Sequence, residues 1–205
     1  KKVVITSGLL NVLAGKGIDG IAPVRVSDRK AMVGQFGYPM YECSYGNYYD
    51  APAPFLIPQV EYSTNDCIPL IAAMAEKKSY PLLLQVRYGR GILYILTIPD
   101  HPGDMYHLPE PVLNQIRRTL SQELPVRLEA PANVGLFVYA NRTLIVESFL
   151  PHNTDVKIAV TGTGLELVDL INGNHIPGNN NQGETLFDMK LSPGTYRVLR
   201  YQNKE

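Results

Sequence analysis

The stretch VGLFVYANRTLIVESFL, residues 134–150, decides the fold of the C-terminal part of this chain. It contains two runs rich in β-branched and aromatic residues, 134–140 and 143–150, which meet at the polar turn signal Ala140-Asn141-Arg142. Two such runs around a short polar connection are typical of antiparallel strands joined by a hairpin. The stretch therefore predicts a β-hairpin at this point of the chain.

The same alternation of strand-like runs and polar turn signals continues to the end of the sequence. Further strand-like runs cover 155–161, 165–171, 184–191 and 195–201, with turn signals rich in Gly, Asn and Pro between them. Short strands at this spacing predict an antiparallel sandwich or open barrel over residues 126–205. The polar stretch 178–183 is expected to be a loop.

An amphipathic helix is predicted immediately before this β-rich part, over residues 109–122. Pro109 suits the first helical position, and Pro125 prevents the helix from continuing. Four apolar residues follow helical spacing and are expected to face the core: Val112, Leu113, Ile116 and Leu120. We place a domain boundary near residue 125.

The first 100 residues have a less regular pattern. Strands are predicted over 2–6, 30–37, 55–62, 82–88 and 92–98, and a short helix over 9–13. The run 68–75 fits a strand, but its alanines also fit a helix. Four prolines and glycines in 38–54 predict a long loop.

Composition excludes several classes of function. Among 205 residues, 19 are Lys or Arg and 19 are Asp or Glu, so the chain lacks the charge excess that nucleic acids or anionic membranes attract. Two cysteines, Cys43 and Cys67, are too few for a disulfide scaffold and lack metal-ligand spacing. Because a strand is expected directly at Lys2, we interpret the chain as cut from a longer polypeptide, whose targeting signal would lie upstream. Localisation is therefore not predicted.

Two segments resemble a known family. One is Tyr88-Gly89-Arg90-Gly91 with the strand 92–96 and Thr97-Ile98-Pro99-Asp100 after it, and the other runs from Leu136 to Phe149. Together they resemble the C-terminal region of bacterial glycoside-hydrolase-like proteins. There an amidotransferase-like (flavodoxin-like) module follows a catalytic barrel, and a small β-domain ends the chain. β-Galactosidases with an amidotransferase-like trimerisation domain have a similar layout.

This resemblance implies a mixed α+β chain. Residues 1–125 would form a partial amidotransferase-like α/β module, and residues 126–205 an antiparallel β-sandwich. It further implies that the module is non-catalytic and that the sugar chemistry occurs in an upstream domain.

The most distinctive local feature is aromatic. Tyrosines are concentrated in residues 38–50, beside acidic and amide side chains, and tyrosine supplies both stacking area and a hydroxyl group. The candidate ligand-binding or interface residues are Tyr38, Tyr41, Tyr45, Tyr48, Tyr49 and Asp50.

No catalytic, cofactor or metal site is predicted elsewhere. Ser7 lacks the glycine two positions earlier that a nucleophile elbow needs. Neither cysteine has the glycine-flanked setting of an amidotransferase nucleophile. Two His and two Asp in residues 100–107 match no standard metal-ligand spacing.

The sequence therefore favours a non-catalytic accessory region of a carbohydrate-active protein, which serves domain or subunit assembly. The expected partner is an upstream catalytic domain of the same polypeptide, with carbohydrate and a second subunit as further candidates. The alternatives are a carbohydrate-binding module that uses residues 38–50 and a stand-alone hydrolase with a degenerate amidotransferase fold.

Overall fold

A computed structural model describes residues 1–38, 47–62, 66–76 and 78–204. The chain folds into two compact units, Lys1–Val112 and Leu113–Glu205. Strands account for 57% of the structure and helices for 14%. No helix among the described residues is long and apolar enough to cross a membrane.

The first unit is built on a six-stranded sheet in the order β1-β6-β5-β4-β2-β3. Its strands are β1 (Lys2–Thr6), β2 (Val24–Gly37), β3 (Tyr48–Tyr62), β4 (Cys67–Ala75), β5 (Lys78–Tyr88) and β6 (Gly91–Leu96). β1 runs parallel to β6, whereas the other neighbouring pairs are antiparallel.

Helix α1 (Ser7–Leu13) follows β1 directly. The side chain of Thr6 caps it by accepting a hydrogen bond from the Leu9 N–H at 3.2 Å. Ser7 and Leu10 are its buried residues, and Leu10 shares a core cluster with Ile5 and Ile95. The chain then passes through a 3₁₀ turn, Ile18–Gly20, to β2.

The predicted flavodoxin-like module is wrong. Such a module requires parallel strands joined by helices, and a parallel crossover takes about a dozen residues or more. Here Gly89 and Arg90 alone separate β5 from β6, and two residues separate β4 from β5. Connections this short force antiparallel pairing, so the first unit is a mostly antiparallel sheet.

One local expectation in this unit needs correction, and the structure decides a second that the sequence left open. The predicted loop over 38–54 is wrong from Tyr48 onward, where β3 begins. Pro52 and Pro54 are tolerated because β3 lies at the sheet edge, where a missing N–H costs no ladder hydrogen bond. The ambiguous run 68–75 belongs to strand β4, with Ile71, Ala72 and Ala73 buried.

A 3₁₀ helix, Pro102–His107, leads to helix α2 (Glu110–Leu120), which continues across the division between the units. Val112 and Ile116 are buried, as predicted, and Leu113 is half-buried. The expectation for Leu120 is wrong, because its side chain is 46% exposed and Thr119 is buried instead.

The second unit contains two antiparallel sheets that share one hydrophobic core. One has the order β13-β14-β10-β7 and the other β12-β11-β15-β9-β8. The strands are β7 (Val126–Glu129), β8 (Val134–Val138), β9 (Thr143–Ser148), β10 (Thr154–Thr161), β11 (Leu165–Asp169), β12 (His175–Pro177), β13 (Asn179–Asn181), β14 (Glu184–Leu191) and β15 (Tyr196–Asn203).

This architecture is compatible with the predicted β-sandwich. Leu144 and Val146 from β9 and Ile158 from β10 meet in the core with Phe187 from β14. Arg142, with φ 64°, forms the turn of the opening hairpin. The loop expected over 178–183 is wrong in part, because β13 pairs with the first residues of β14.

Candidate functional site

The predicted tyrosine site lies at one end of the β2–β3 hairpin. Three cross-strand pairs form this end: Gly37 with Tyr48, Phe36 with Tyr49, and Gln35 with Asp50. We call the described residues Gln35, Gly37, Tyr38, Tyr48, Tyr49 and Asp50 the tyrosine end. Tyr41 and Tyr45, the other two candidates, lie outside the described residues.

Tyr48 covers its glycine partner. A Cβ atom at position 37 would lie 2.6 Å from Cδ1 of Tyr48, so no larger residue fits at that position without displacing the ring. Tyr48 is nevertheless 46% exposed. The sheet thus holds one side of this aromatic residue and leaves another side open to a partner.

The other members of the tyrosine end make contacts within the chain. Tyr38 and Tyr49 pack edge to face, with ring centroids 5.9 Å apart. The Tyr38 hydroxyl donates to the carbonyl oxygen of Pro111 at 2.8 Å. Asp50 accepts a hydrogen bond from Nε2 of Gln35 at 2.9 Å. These contacts fix the rings and the carboxylate in place, and the role of the predicted residues in binding stays a prediction.

A charged cleft lies at the opposite end of the same hairpin. Its volume is about 470 Å³, and its lining includes Asp19, Arg25, Glu61 and Tyr62. Nε and Nη2 of Arg25 both donate to Oε2 of Glu61, at 2.8 and 2.6 Å. Nη2 of Arg29 donates to Oε1 at 3.0 Å. Sequence reasoning missed this cluster, because 36 residues separate Arg25 from Glu61 and no local motif joins them.

The Arg25 hydrogen bond is the main cause that holds the pKa of Glu61 below its ordinary value of 4.5. Folding therefore favours ionised Glu61. The resulting stability is present above the unfolded-state pKa and is lost as the pH falls through the lower folded-state pKa.

NMR titration of the Glu61 carboxyl group should therefore give a pKa below 4.5. Arg25→Gln should move that pKa upward, because it removes the strongest ionic hydrogen bonds. Arg29→Gln is the matched control and should move it less, since Arg29 makes the weaker contribution. An equal or larger shift in the Arg29 variant would contradict this ranking.

The side chains considered from the sequence as a nucleophile or as metal ligands have partners within the chain. Ser7 is buried, and its Oγ accepts the Ile98 N–H at 3.0 Å. Asp100 is paired with Lys30, and Asp104 lies 3.8 Å from Nδ1 of His107. Within the described ranges, no three His, Cys, Asp or Glu side chains lie close enough to hold a metal ion.

Cys67 is buried, and Cys43 lies outside the described residues.

An apolar groove of about 390 Å³ lies within the second unit. Leu120, Leu124 and Leu136 line it together with Arg117. The Arg117 guanidinium donates to the backbone oxygens of Ala130, Pro131 and Val134. It thereby satisfies carbonyl groups at and just before the start of the edge strand β8.

Comparison with known proteins bears on the second unit. Residues 125–201 match the family model described as "Probable glycosyl hydrolase, C-terminal domain". This part of the chain is therefore similar to a glycoside-hydrolase-associated C-terminal domain. The predicted resemblance to the C-terminal region of glycoside-hydrolase-like proteins is thus confirmed. Its amidotransferase-like part is wrong, because the strand connections of the first unit are too short for a flavodoxin-like module.

Wider comparison gives only distant similarity. No curated protein matches the chain. Gan42B, a GH42 β-galactosidase, is similar over 91% of this chain and 24% of its own, with 11% identity and a TM-score of 0.43. α-L-Fucosidase isoenzyme 2 from Paenibacillus thiaminolyticus is similar over 90% of this chain and 34% of its own, with 11% identity and a TM-score of 0.46. The chain therefore spans well under half of the length of either protein.

Proposed function

We propose that this chain is a non-catalytic accessory region of a carbohydrate-active protein, in which it serves domain or subunit assembly. The observation that carries the proposal is the match of residues 125–201 to a probable glycosyl hydrolase C-terminal domain. The proposed partner is a catalytic domain of the same polypeptide. Sugar chemistry belongs to that domain and not to the sandwich.

The tyrosine end supports an assembly role through its chemistry. Tyr48 presents an exposed aromatic ring on a paired strand, and tyrosine is enriched where proteins meet one another. The ring rests on Gly37 and is already held in position. The Tyr48 side chain would therefore lose little rotamer entropy when a partner packs on it. A rigid, partly exposed aromatic residue is a suitable anchor for an interface.

Carbohydrate binding at the same residues is the second candidate. Tyr48 offers an aromatic face, and Asp50 and Gln35 provide an acceptor and a donor beside it. Sites for small ligands combine aromatic lining with a few placed polar groups in this way. The hydrogen bond between Asp50 and Gln35 would then rearrange or be shared with sugar hydroxyls.

The experiment compares the 205-residue chain with the complete polypeptide that its gene encodes. We expect the complete polypeptide to hydrolyse an aryl glycoside and the 205-residue chain to show no turnover. Turnover by the 205-residue chain that one substitution abolishes would refute the accessory role. A gene that encodes no further domain would also refute it.

Tyr48→Ala separates the two uses of the tyrosine end, with Tyr106→Ala as the matched control because Tyr106 is also an exposed tyrosine of the first unit. If the ring contacts the catalytic domain, Tyr48→Ala should lower the thermal midpoint of the complete polypeptide more than Tyr106→Ala does. If it binds glycan, Tyr48→Ala should lose retention on a polysaccharide gel. If both variants stay bound to the gel and have equal thermal midpoints, the Tyr48 ring neither contacts the catalytic domain nor binds glycan.

A further inference from the structure

The five-stranded sheet of the second unit has one face on the core and one face away from it. Along β8 and β9, the even-numbered residues Val134, Leu144 and Val146 belong to the core cluster. Side chains of a strand alternate between the two faces, so the odd-numbered residues point away from this core. Phe137 and Phe149 are two of these odd-numbered residues, and both are exposed.

Three exposed aromatic residues gather on this outer face around one carboxylate. Glu147 of β9 is paired with Gly135 on one side and with Tyr196 of β15 on the other, and Tyr196 is exposed. Phe149 continues the ladder, because its N–H donates to the carbonyl oxygen of Asn133 at 2.9 Å. We call the following residues the aromatic face: Gly135, Phe137, Glu147, Phe149 and Tyr196.

Gly135 forms a recess within the aromatic face. A Cβ atom at position 135 would lie 3.5 Å from Cε2 of Phe137 and 3.7 Å from Cε2 of Phe149, which is ordinary contact distance. Both phenyl rings therefore border the space that a side chain would fill. The glycine leaves this space open, with the strand backbone as its floor.

The carboxylate of Glu147 differs from other carboxylates of the second unit. Glu184 is paired with Arg127, and Asp169 with Arg197. The Glu147 side chain is half-buried and makes no hydrogen bond or ion pair among the described residues, which include all of 113–204. An ionised carboxylate only accepts hydrogen bonds, so Glu147 offers acceptor oxygens to an added donor.

We propose that the aromatic face binds a neutral sugar. The inference rests on the proposed accessory role in a carbohydrate-active protein and adds a ligand site to it. A sugar ring presents C–H groups on its faces and hydroxyl groups at its edge. The C–H groups can pack on the electron-rich faces of the aromatic rings while a hydroxyl group donates to Glu147. Sites for small ligands combine aromatic lining with a few placed polar groups in this way.

The position of Glu147 favours a sugar over a protein as the occupant. The buried centre of a protein interface is depleted in charged residues, and an unpaired carboxylate is costly to bury there. A sugar supplies hydroxyl donors to the carboxylate and keeps its outer side in water. A basic peptide could also pair with Glu147, but it would depend on the negative charge rather than on an acceptor oxygen.

A microarray of neutral oligosaccharides, probed with the 205-residue chain, tests the site. We expect binding, and calorimetry with the best oligosaccharide then compares variants. Phe137→Ala and Phe149→Ala should each weaken binding about tenfold, because each removes a packing ring. Both rings are exposed, so circular dichroism should show intact folds. Tyr106→Ala, which removes an exposed ring from the first unit, is the matched control and should bind normally.

Two further substitutions separate the sugar from other occupants. Gly135→Val keeps every ring but fills the recess, and should abolish binding, although valine suits a strand. Glu147→Gln keeps an acceptor oxygen and removes the charge, so it should bind the sugar better than Glu147→Leu does. A basic peptide would be lost equally in both Glu147 variants, and its binding would weaken as salt is added.

Four results would overturn the inference. They are an array on which no neutral oligosaccharide binds, an equal loss in Tyr106→Ala, equal losses in the two Glu147 variants, and binding that Tyr48→Ala abolishes while Phe137→Ala keeps it. None of them bears on the accessory role, which is tested by the location of the glycosidase activity. Conversely, glycoside turnover by this chain would refute the accessory role, but it would not explain a loss of binding confined to variants of the aromatic face.

Discussion

Phe187→Ala is expected to lower the free energy of unfolding by about 3–5 kcal/mol, because it deletes a fully buried aromatic ring from the sandwich core. Phe187 packs with residues of both sheets in one cluster. Its ring also closes on Gly178, where an added Cβ would lie 2.6 Å from Cε1 of Phe187. Truncation of this side chain would leave a cavity, and the tightly packed surroundings have little freedom to fill it.

Phe137→Ala is the matched control for this prediction. Phe137 lies on β8 with 49% of its surface exposed, so its truncation removes little buried area. Urea denaturation of both variants, followed by circular dichroism, measures the difference. Equal losses in the two variants would show that Phe187 does not hold the core as described.

Ile116→Ala is expected to cost about 2–4 kcal/mol, because Ile116 is buried on helix α2. Leu120→Ala removes a side chain from the same helix, one turn further on. Leu120 is 46% exposed, so its loss should be much smaller. Thermal and urea unfolding of the two variants provide the comparison.

A larger loss for Leu120→Ala would contradict the orientation of α2 in the structure. It would instead favour the face predicted from the sequence, in which Leu120 belongs to the buried stripe. The pair of variants therefore distinguishes the structural orientation from the sequence-based one.

The tyrosine end offers a rigid aromatic ring with polar neighbours, and this chemistry would suit a protein domain or a sugar.

Part of the site could be predicted from sequence because its members are neighbours in the chain. Tyr48, Tyr49 and Asp50 are consecutive, so their clustering needed no knowledge of the fold. Tyr38 joins them because β2 and β3 are adjacent in the sheet. The Arg25–Glu61 pair had no such local signal, since only the register of two long strands brings those residues together.

The sequence by itself determined the antiparallel strands of the second unit, because its turns are local events. Residues such as Asn141, Arg142 and Gly194 define chain reversals within a few positions, and the intervening runs are rich in β-branched and aromatic residues, which favour strands. It also determined helix α2, although not which residue completed its buried face.

Only the tertiary structure decided the first unit. Local preference allowed a helix at Ala72 and Ala73 and a loop at Pro52, yet both segments are strands. Propensities differ by about 1 kcal/mol or less per ordinary residue, so burial against neighbouring strands outweighs them. The parallel pairing of β1 with β6 joins segments about 90 residues apart, so it depends on the completed sheet and leaves no pattern within either segment.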